Sequence, residues 1–221
     1  MPPSAGLSAH DVTVAYGGRT VLDRATVRVE PGETVGLRGP SGCGKSTLVR
    51  VLALLHRPSH GHVSLDGEPV GGARHRAPVA ARTRIGVLFQ SPRGAADPRL
   101  SLADLIAEPL RAVRRPAEEV RERVAELADI AGLTPDLLRR RPHAVSDGQL
   151  QRACLARALA HRPDYLLCDE ATAMLDASTQ AHVAAVITGH QRRFGTGVLL
   201  VTHDPALIAR WADRILEGIP S

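Results

Sequence analysis

Of the 28 lysine and arginine residues in this 221-residue chain, Lys45 alone is lysine. It stands in GPSGCGKST, Gly39 to Thr47, which fits the spacing G-x-x-x-x-G-K-[ST] in full. Gly39, Gly42 and Gly44 let the backbone turn tightly with its N–H groups pointing inward, and Pro40, Ser41 and Cys43 complete the loop. The apolar run TVGLRG leads into the loop and the helical pattern KSTLVRVLALLH leads out of it, so a helix N-terminus adds its partial positive charge. Such a loop is a cradle for a polyphosphate. Lys45 enters it as a compact cation on a flexible stem, where the wide planar fork of arginine would not fit. Ser46 offers a hydroxyl to Mg²⁺, and Thr47 can donate to an α-phosphate. A chance glycine turn is the competing reading, and the complete pattern between strand and helix speaks against it.

A second feature is the acid pair that ends the apolar run YLLCDE. Open α/β sheets bind ligands at the carboxyl ends of their strands, which is where Asp169 and Glu170 fall. Asp169 is then the expected Mg²⁺ partner, directly or through water, and Glu170 a candidate general base for an attacking water. The same two acids would also serve as a helix N-cap pair, and only the phosphate loop tips the balance.

The elements that must position these residues are legible as alternations of period. HDVTVAY and ATVRVE alternate apolar and polar residues like half-exposed strands, with turns at GGRT and EPGE. GHVSLDGEPV predicts a strand–turn unit, and RIGVLFQ, DYLLCDE and GVLLVTHD predict further strands. GQLQRACLARALAH, STQAHVAAVITGHQRRF and PALIARWADRIL predict helices between and after them. Strands alternating with helices imply an α/β fold with a mostly parallel sheet. From Ser91 to about His143 helical segments follow one another, punctuated by Pro98, Pro116, Pro135 and Pro142. The expected organisation is one domain over 1–221, with 1–90 and 144–221 forming a nucleotide-binding core and about 91–143 a helical subdomain. No internal repeat or low-complexity linker is seen.

Bulk properties narrow the class. Hydrophobic residues make up 43% and charged residues 23%, the globular range, and aromatics only 2%, so the core must be aliphatic. The net charge of +5 permits a nucleic-acid or anionic-membrane partner without requiring one, and the arginine clusters at 111–115 and 139–141 suit solvated helix ends. Cys43, Cys154 and Cys168 have neither metal nor redox spacing, which suggests a reducing compartment. The N-terminal residues lack the pattern of a signal peptide and no apolar run is long enough to span a bilayer. The expectation is a cytoplasmic protein whose membrane role, if any, comes through a partner.

With these residues in view, the chain resembles the ATPase subunits of ABC transporters over nearly its whole length. The resemblance implies a P-loop NTPase core with an N-terminal antiparallel β subdomain, and ATP and Mg²⁺ as cofactors. It implies that Tyr16 in VAYGG stacks on adenine and that Gln90, ending IGVLFQ, contacts Mg²⁺ and couples to the helical subdomain. Ser146, Gly148 and Gln149 in VSDGQLQRACLARAL resemble the signature motif, and Asp176 in AMLDAST the D-loop. His203 in LLVTHD looks like the switch histidine at the γ-phosphate. In this family the signature faces the nucleotide of a second ATPase subunit in a head-to-tail dimer, homomeric or heteromeric. Closure is transmitted to transmembrane permease subunits at the inner face of the cell membrane, served by an extracytoplasmic substrate-binding protein, with no nucleic acid expected. SPRGAADPRLSLADLIAEPL and CDEATAMLDASTQAHV resemble the branch that imports peptides or nickel. A soluble ABC ATPase, or a weakly hydrolysing regulatory partner, is the alternative.

Three departures stand out. Asp147 replaces the first glycine of the signature, Cys43 sits in the phosphate loop, and the sequence ends soon after WADRIL where the family usually continues. His56, His60 and His62 in HRPSHGH suit a turn as well as they suit a nickel site.

Overall fold

The computed structural model describes residues 6–171 and 175–220. Strands β1 (Leu7–Tyr16), β2 (Arg19–Val29), β4 (His60–Leu65) and β5 (Glu68–Val70) form an antiparallel sheet in the order β2-β1-β4-β5. Strands β6 (Ile85–Leu88), β7 (Tyr165–Asp169), β8 (Gly197–Val201), β3 (Thr34–Arg38) and β9 (Arg214–Glu217) lie side by side in that order, all parallel. The helices are α1 (Lys45–Leu52), α2 (Val79–Arg82), α3 (Pro92–Ala95), α4 (Leu102–Ala112), α5 (Ala117–Ile130), α6 (Pro135–Arg139), α7 (Asp147–Ala158), α8 (Ala177–Phe194) and α9 (Pro205–Trp211).

The central strands β7 and β8 are buried at every residue, which is why they read as continuous apolar runs rather than alternations. Their side chains divide by parity between two cores. Leu166, Cys168, Val198 and Leu200 join the core built with α4, α5 and α7. Tyr165, Leu167, Leu199 and Val201 join the core shared with α1 and the antiparallel sheet. The helices α3 to α6 occupy most of the 91–143 stretch. Of these, α4 to α6 share a core with α7 and one face of the parallel sheet, so this stretch is not packed as an island of its own.

Two expectations are corrected. PALIARWADRIL is not one helix: α9 ends at Trp211, and Arg214–Glu217 adds a parallel strand beside β3. The side chain of Asp213 accepts from the backbone N–H of Thr34 at 2.7 Å, and Arg214 pairs with Glu33 at 2.7 Å, so tertiary pairing overrides a short helical pattern. The helix after the phosphate loop also stops earlier than KSTLVRVLALLH suggests. Leu54 takes φ +58°, and the chain leaves α1 in a turn before His56. Pro109 lies inside α4, as the helical reading of LADLIAEPLRAV implies. Its carbonyl lies 3.1 Å from His161 Nε2.

Candidate active site

Neighbouring parallel strands deliver their following residues to one edge of the sheet. β3 runs into the loop from Gly39 to Gly44, β6 leads to Gln90, β7 ends on Asp169 and Glu170, and β8 leads to His203. Because Leu88 pairs with Cys168, Asp169 with Val201 and Leu37 with Val201, these ends lie level.

The loop needs its glycines for two separate reasons. Gly42 and Gly44 have φ +81° and +100°, which side-chain-bearing residues rarely adopt. A β-carbon on Gly44 would also lie 2.7 Å from Leu22 Cδ2 and 2.8 Å from the Val21 carbonyl. Helix α1 starts from Gly44 with no side-chain cap and no acid in its first turn, so its first N–H groups are left to an external acceptor. Lys45 is 5% exposed, and its ammonium donates to the carbonyls of Gly39 at 2.8 Å and Pro40 at 2.9 Å. Cys43 Sγ lies 3.9 Å from the same nitrogen. Pro40 and Ser41 shape the outer rim of this turn, and Thr47 is buried in the first turn of α1.

Ser46 donates its hydroxyl to Asp169 Oδ1 at 3.0 Å. Asp169 is 5% exposed, and burial first, then the charge of Glu170, hold its carboxyl above the usual range, opposed by the Ser46 hydrogen bond and by Arg50 and Lys45. A hydroxyl beside a carboxylate is a hard-oxygen donor set that suits Mg²⁺. Glu170 is engaged at both oxygens: Gln90 Nε2 donates to Oε2 at 3.1 Å, and His203 Nε2 lies 2.6 Å from Oε1. Its backbone is held at φ +50°, a conformation unusual for glutamate and of the kind stored at functional sites.

Ser146, Gly148 and Gln149 form a second feature at the start of α7. Ser146 Oγ accepts from Gln149 N at 3.2 Å and Gln149 Oε1 accepts from Ser146 N at 3.0 Å, a complete capping box. Their hydrogen bonds run to one another rather than to the loop of Gly39 to Thr47. Asp176 caps α8, accepting from Thr179 N at 2.9 Å and Thr179 Oγ1 at 2.7 Å. A β-carbon on Gly148 would lie 3.2 Å from Thr179 Oγ1, so the starts of α7 and α8 adjoin. Ala173 and Met174 of AMLDAST lie outside the described residues. Tyr16 ends β1 exposed, its ring 5.3 Å from that of His56.

Sequence reasoning missed Gln151. This side chain is 1% exposed on α7 and donates to the carbonyls of Phe89 at 3.1 Å and Ala171 at 2.7 Å. It thereby ties together the residues next to Gln90 and Glu170. A polar residue on the buried face of GQLQRACLARAL was the available signal. Among the described residues no group of three or more His, Cys, Asp or Glu is gathered in a way that could hold a metal ion, the histidines of HRPSHGH included. His62 instead stacks on His10 at 4.9 Å.

The family described as "ABC transporter" matches residues 22–173. The oligopeptide transport ATP-binding protein OppF of Escherichia coli (strain K12) is 39% identical over 197 residues, covering 88% of this chain and 59% of its own length. The chain thus spans less than two thirds of that relative. The nickel import ATP-binding protein NikE of Brucella suis biovar 1 (strain 1330) is 41% identical over 209 residues, covering 94% of this chain and 79% of its own. Among solved structures, the dimeric structure of MJ0796, a bacterial ABC transporter cassette, is 30% identical with a TM-score of 0.85, covering 96% of this chain and 94% of that one. A dimeric post-hydrolysis state of MJ0796 bound to ADP and Pi is similar at 29% identity and a TM-score of 0.83, with the same coverage.

Proposed function

The chain belongs to the ABC transporter family of ATPases, and from that premise we propose that it is the ATP-binding and ATP-hydrolysing subunit of a membrane importer of peptides or nickel. The observation that carries the reading is the meeting, at one sheet edge, of the Lys45 loop, the Ser46–Asp169 pair and a glutamate held between Gln90 and His203. In this reading the loop N–H groups and Lys45 grip the β- and γ-phosphates, Thr47 the α-phosphate, and Tyr16 stacks on adenine. Ser46, Asp169 and Gln90 would hold Mg²⁺, which when bound neutralises charge developing on the phosphates. Glu170 accepts the proton of the attacking water, and Gln90 and His203 orient its two oxygens.

Ser146, Gly148 and Gln149, with Asp176 adjoining, serve the nucleotide of a second ATPase subunit arranged head to tail. The core over 1–90 and 144–221 then passes closure through the helices of about 91–143 to permease subunits. The subunit works on the inner face of the cell membrane, in a system with an extracytoplasmic binding protein. No described helix is long and apolar enough to cross a membrane. In this reading docking to a permease supplies the attachment.

The test is turnover of MgATP by the purified chain beside Glu170→Gln. The variant should bind ATP as wild type does while kcat falls by about 100-fold or more, the scale of a lost general base. Turnover at the wild-type rate would remove Glu170 from this role.

A further inference from the structure

Asp147 puts an acid on the first residue of α7, the helix start that in the reading above receives a phosphate. A carboxylate there favours the helix dipole but opposes the approach of an anion. It is not free. Arg93 Nη2 lies 2.6 Å from Asp147 Oδ1, and the same guanidinium donates through Nη1 to the Pro142 carbonyl at 3.0 Å and through Nη2 to the Val145 carbonyl at 3.2 Å. One planar fork therefore holds the whole approach to α7 as well as its first acid.

Arg93 belongs to α3, which begins two residues after Gln90. Ser91 caps α3 by accepting from Gly94 N at 3.2 Å, and Arg157 of α7 donates to the Ala95 carbonyl at 2.8 Å. The segment behind Gln90 is thus fastened to α7 at both ends of α3. Gln90 in turn donates to Glu170.

We propose that Arg93 is a positioning residue that neutralises Asp147 and locks the start of α7 to the segment behind Gln90, so that this helix start can accept the γ-phosphate of a second copy. The proposal rests on the functional reading above. The arginine and the acid act as a matched pair: the acid left without the arginine is worse at this place than the two together. Since both side chains are about half exposed, the pair is open to screening by salt.

The experiment is a double-mutant cycle on the full chain, reading turnover against ATP concentration at low and high salt, with melting temperature as a check on folding. Arg93→Ala should raise half-saturating ATP by about threefold, the scale of one exposed ion pair, with a smaller change in kcat. Arg93→Lys should recover part of the loss, because charge is kept while the fork is not. Adding Asp147→Gly to Arg93→Ala should recover part of the loss in half-saturation, the remainder reflecting the missing bonds to the Pro142 and Val145 carbonyls. Asp147→Gly alone keeps the carbonyl contacts of Arg93 and should show a smaller salt-induced rise in half-saturation than wild type. A double variant as impaired as Arg93→Ala, or an unchanged salt response in Asp147→Gly, would overturn the pairing. Absence of ATP binding and turnover in the wild type would instead sink the functional reading itself.

Discussion

Glu170 shows how much a single residue can depend on its supports. Its oxygens are held by Gln90 and His203, and the carbonyls of Phe89 and Ala171, just after β6 and β7, are held by Gln151. Gln151→Leu leaves the buried Ala171 carbonyl and the half-buried Phe89 carbonyl without their donor, which should cost about 1–3 kcal/mol of stability. It should also lower kcat, because Gln90 and Glu170 lose their common register. Thermal melting and turnover measured together check this, and a stability loss with unchanged kcat would make Gln151 merely structural. Asp169 makes the opposite point. Its raised carboxyl pKa means that the ionised form is disfavoured by folding, so above the ordinary carboxylate pKa its charge costs stability. Asp169→Asn keeps an acceptor for Ser46 and should raise the melting temperature by a few degrees at neutral pH. The gain should vanish as pH falls through the carboxylate range, and Mg²⁺-dependent turnover should be lost. A variant that melts no higher than wild type at pH 7 would contradict the desolvation argument.

At the level of elements, the phosphate loop tolerates little. Gly44→Ala adds a β-carbon against Leu22 and the Val21 carbonyl in a backbone conformation that alanine disfavours. It should weaken ATP binding by more than tenfold in a titration, with a melting temperature below wild type. On α8, His190 has its pKa pushed down to about 4, by burial first and then by the positive charge of Arg123, Arg162 and Arg193, against a hydrogen bond to Pro163 that pulls it up. The neutral ring is the form that folding favours. Its contribution is therefore present above the ordinary histidine pKa and is lost as pH falls from about 6.5 toward 4. His190→Gln should flatten the melting temperature over that window, and an undiminished slope would assign it elsewhere. The central strands and the long helices were readable from period and punctuation, because burial on two faces makes β8 wholly apolar and β7 apolar up to its terminal Asp169. The Lys45 loop and the Asp169–Glu170 pair were readable because their chemistry is local in sequence. Strand β9 was not, since its pairing with β3 is decided by Thr34 and Glu33, far away in the chain. Gln151 and Arg93 were not, since the carbonyls they hold come from other segments.

For the whole molecule, the central claim is a division of labour. In the proposed reading the loop of Gly39 to Thr47 would bind nucleotide within one copy, and the Ser146 helix start would bind the same nucleotide from another. The two features are tied to different supports within the chain, one to β3 and α1, the other to α3 and α7. Sedimentation of Glu170→Gln with MgATP, with and without Ser146→Arg, tests this most directly. The account predicts an ATP-dependent dimer for Glu170→Gln and, for the double variant, a monomer that still binds ATP. A double variant that dimerises unchanged, or one that loses nucleotide binding altogether, would contradict it.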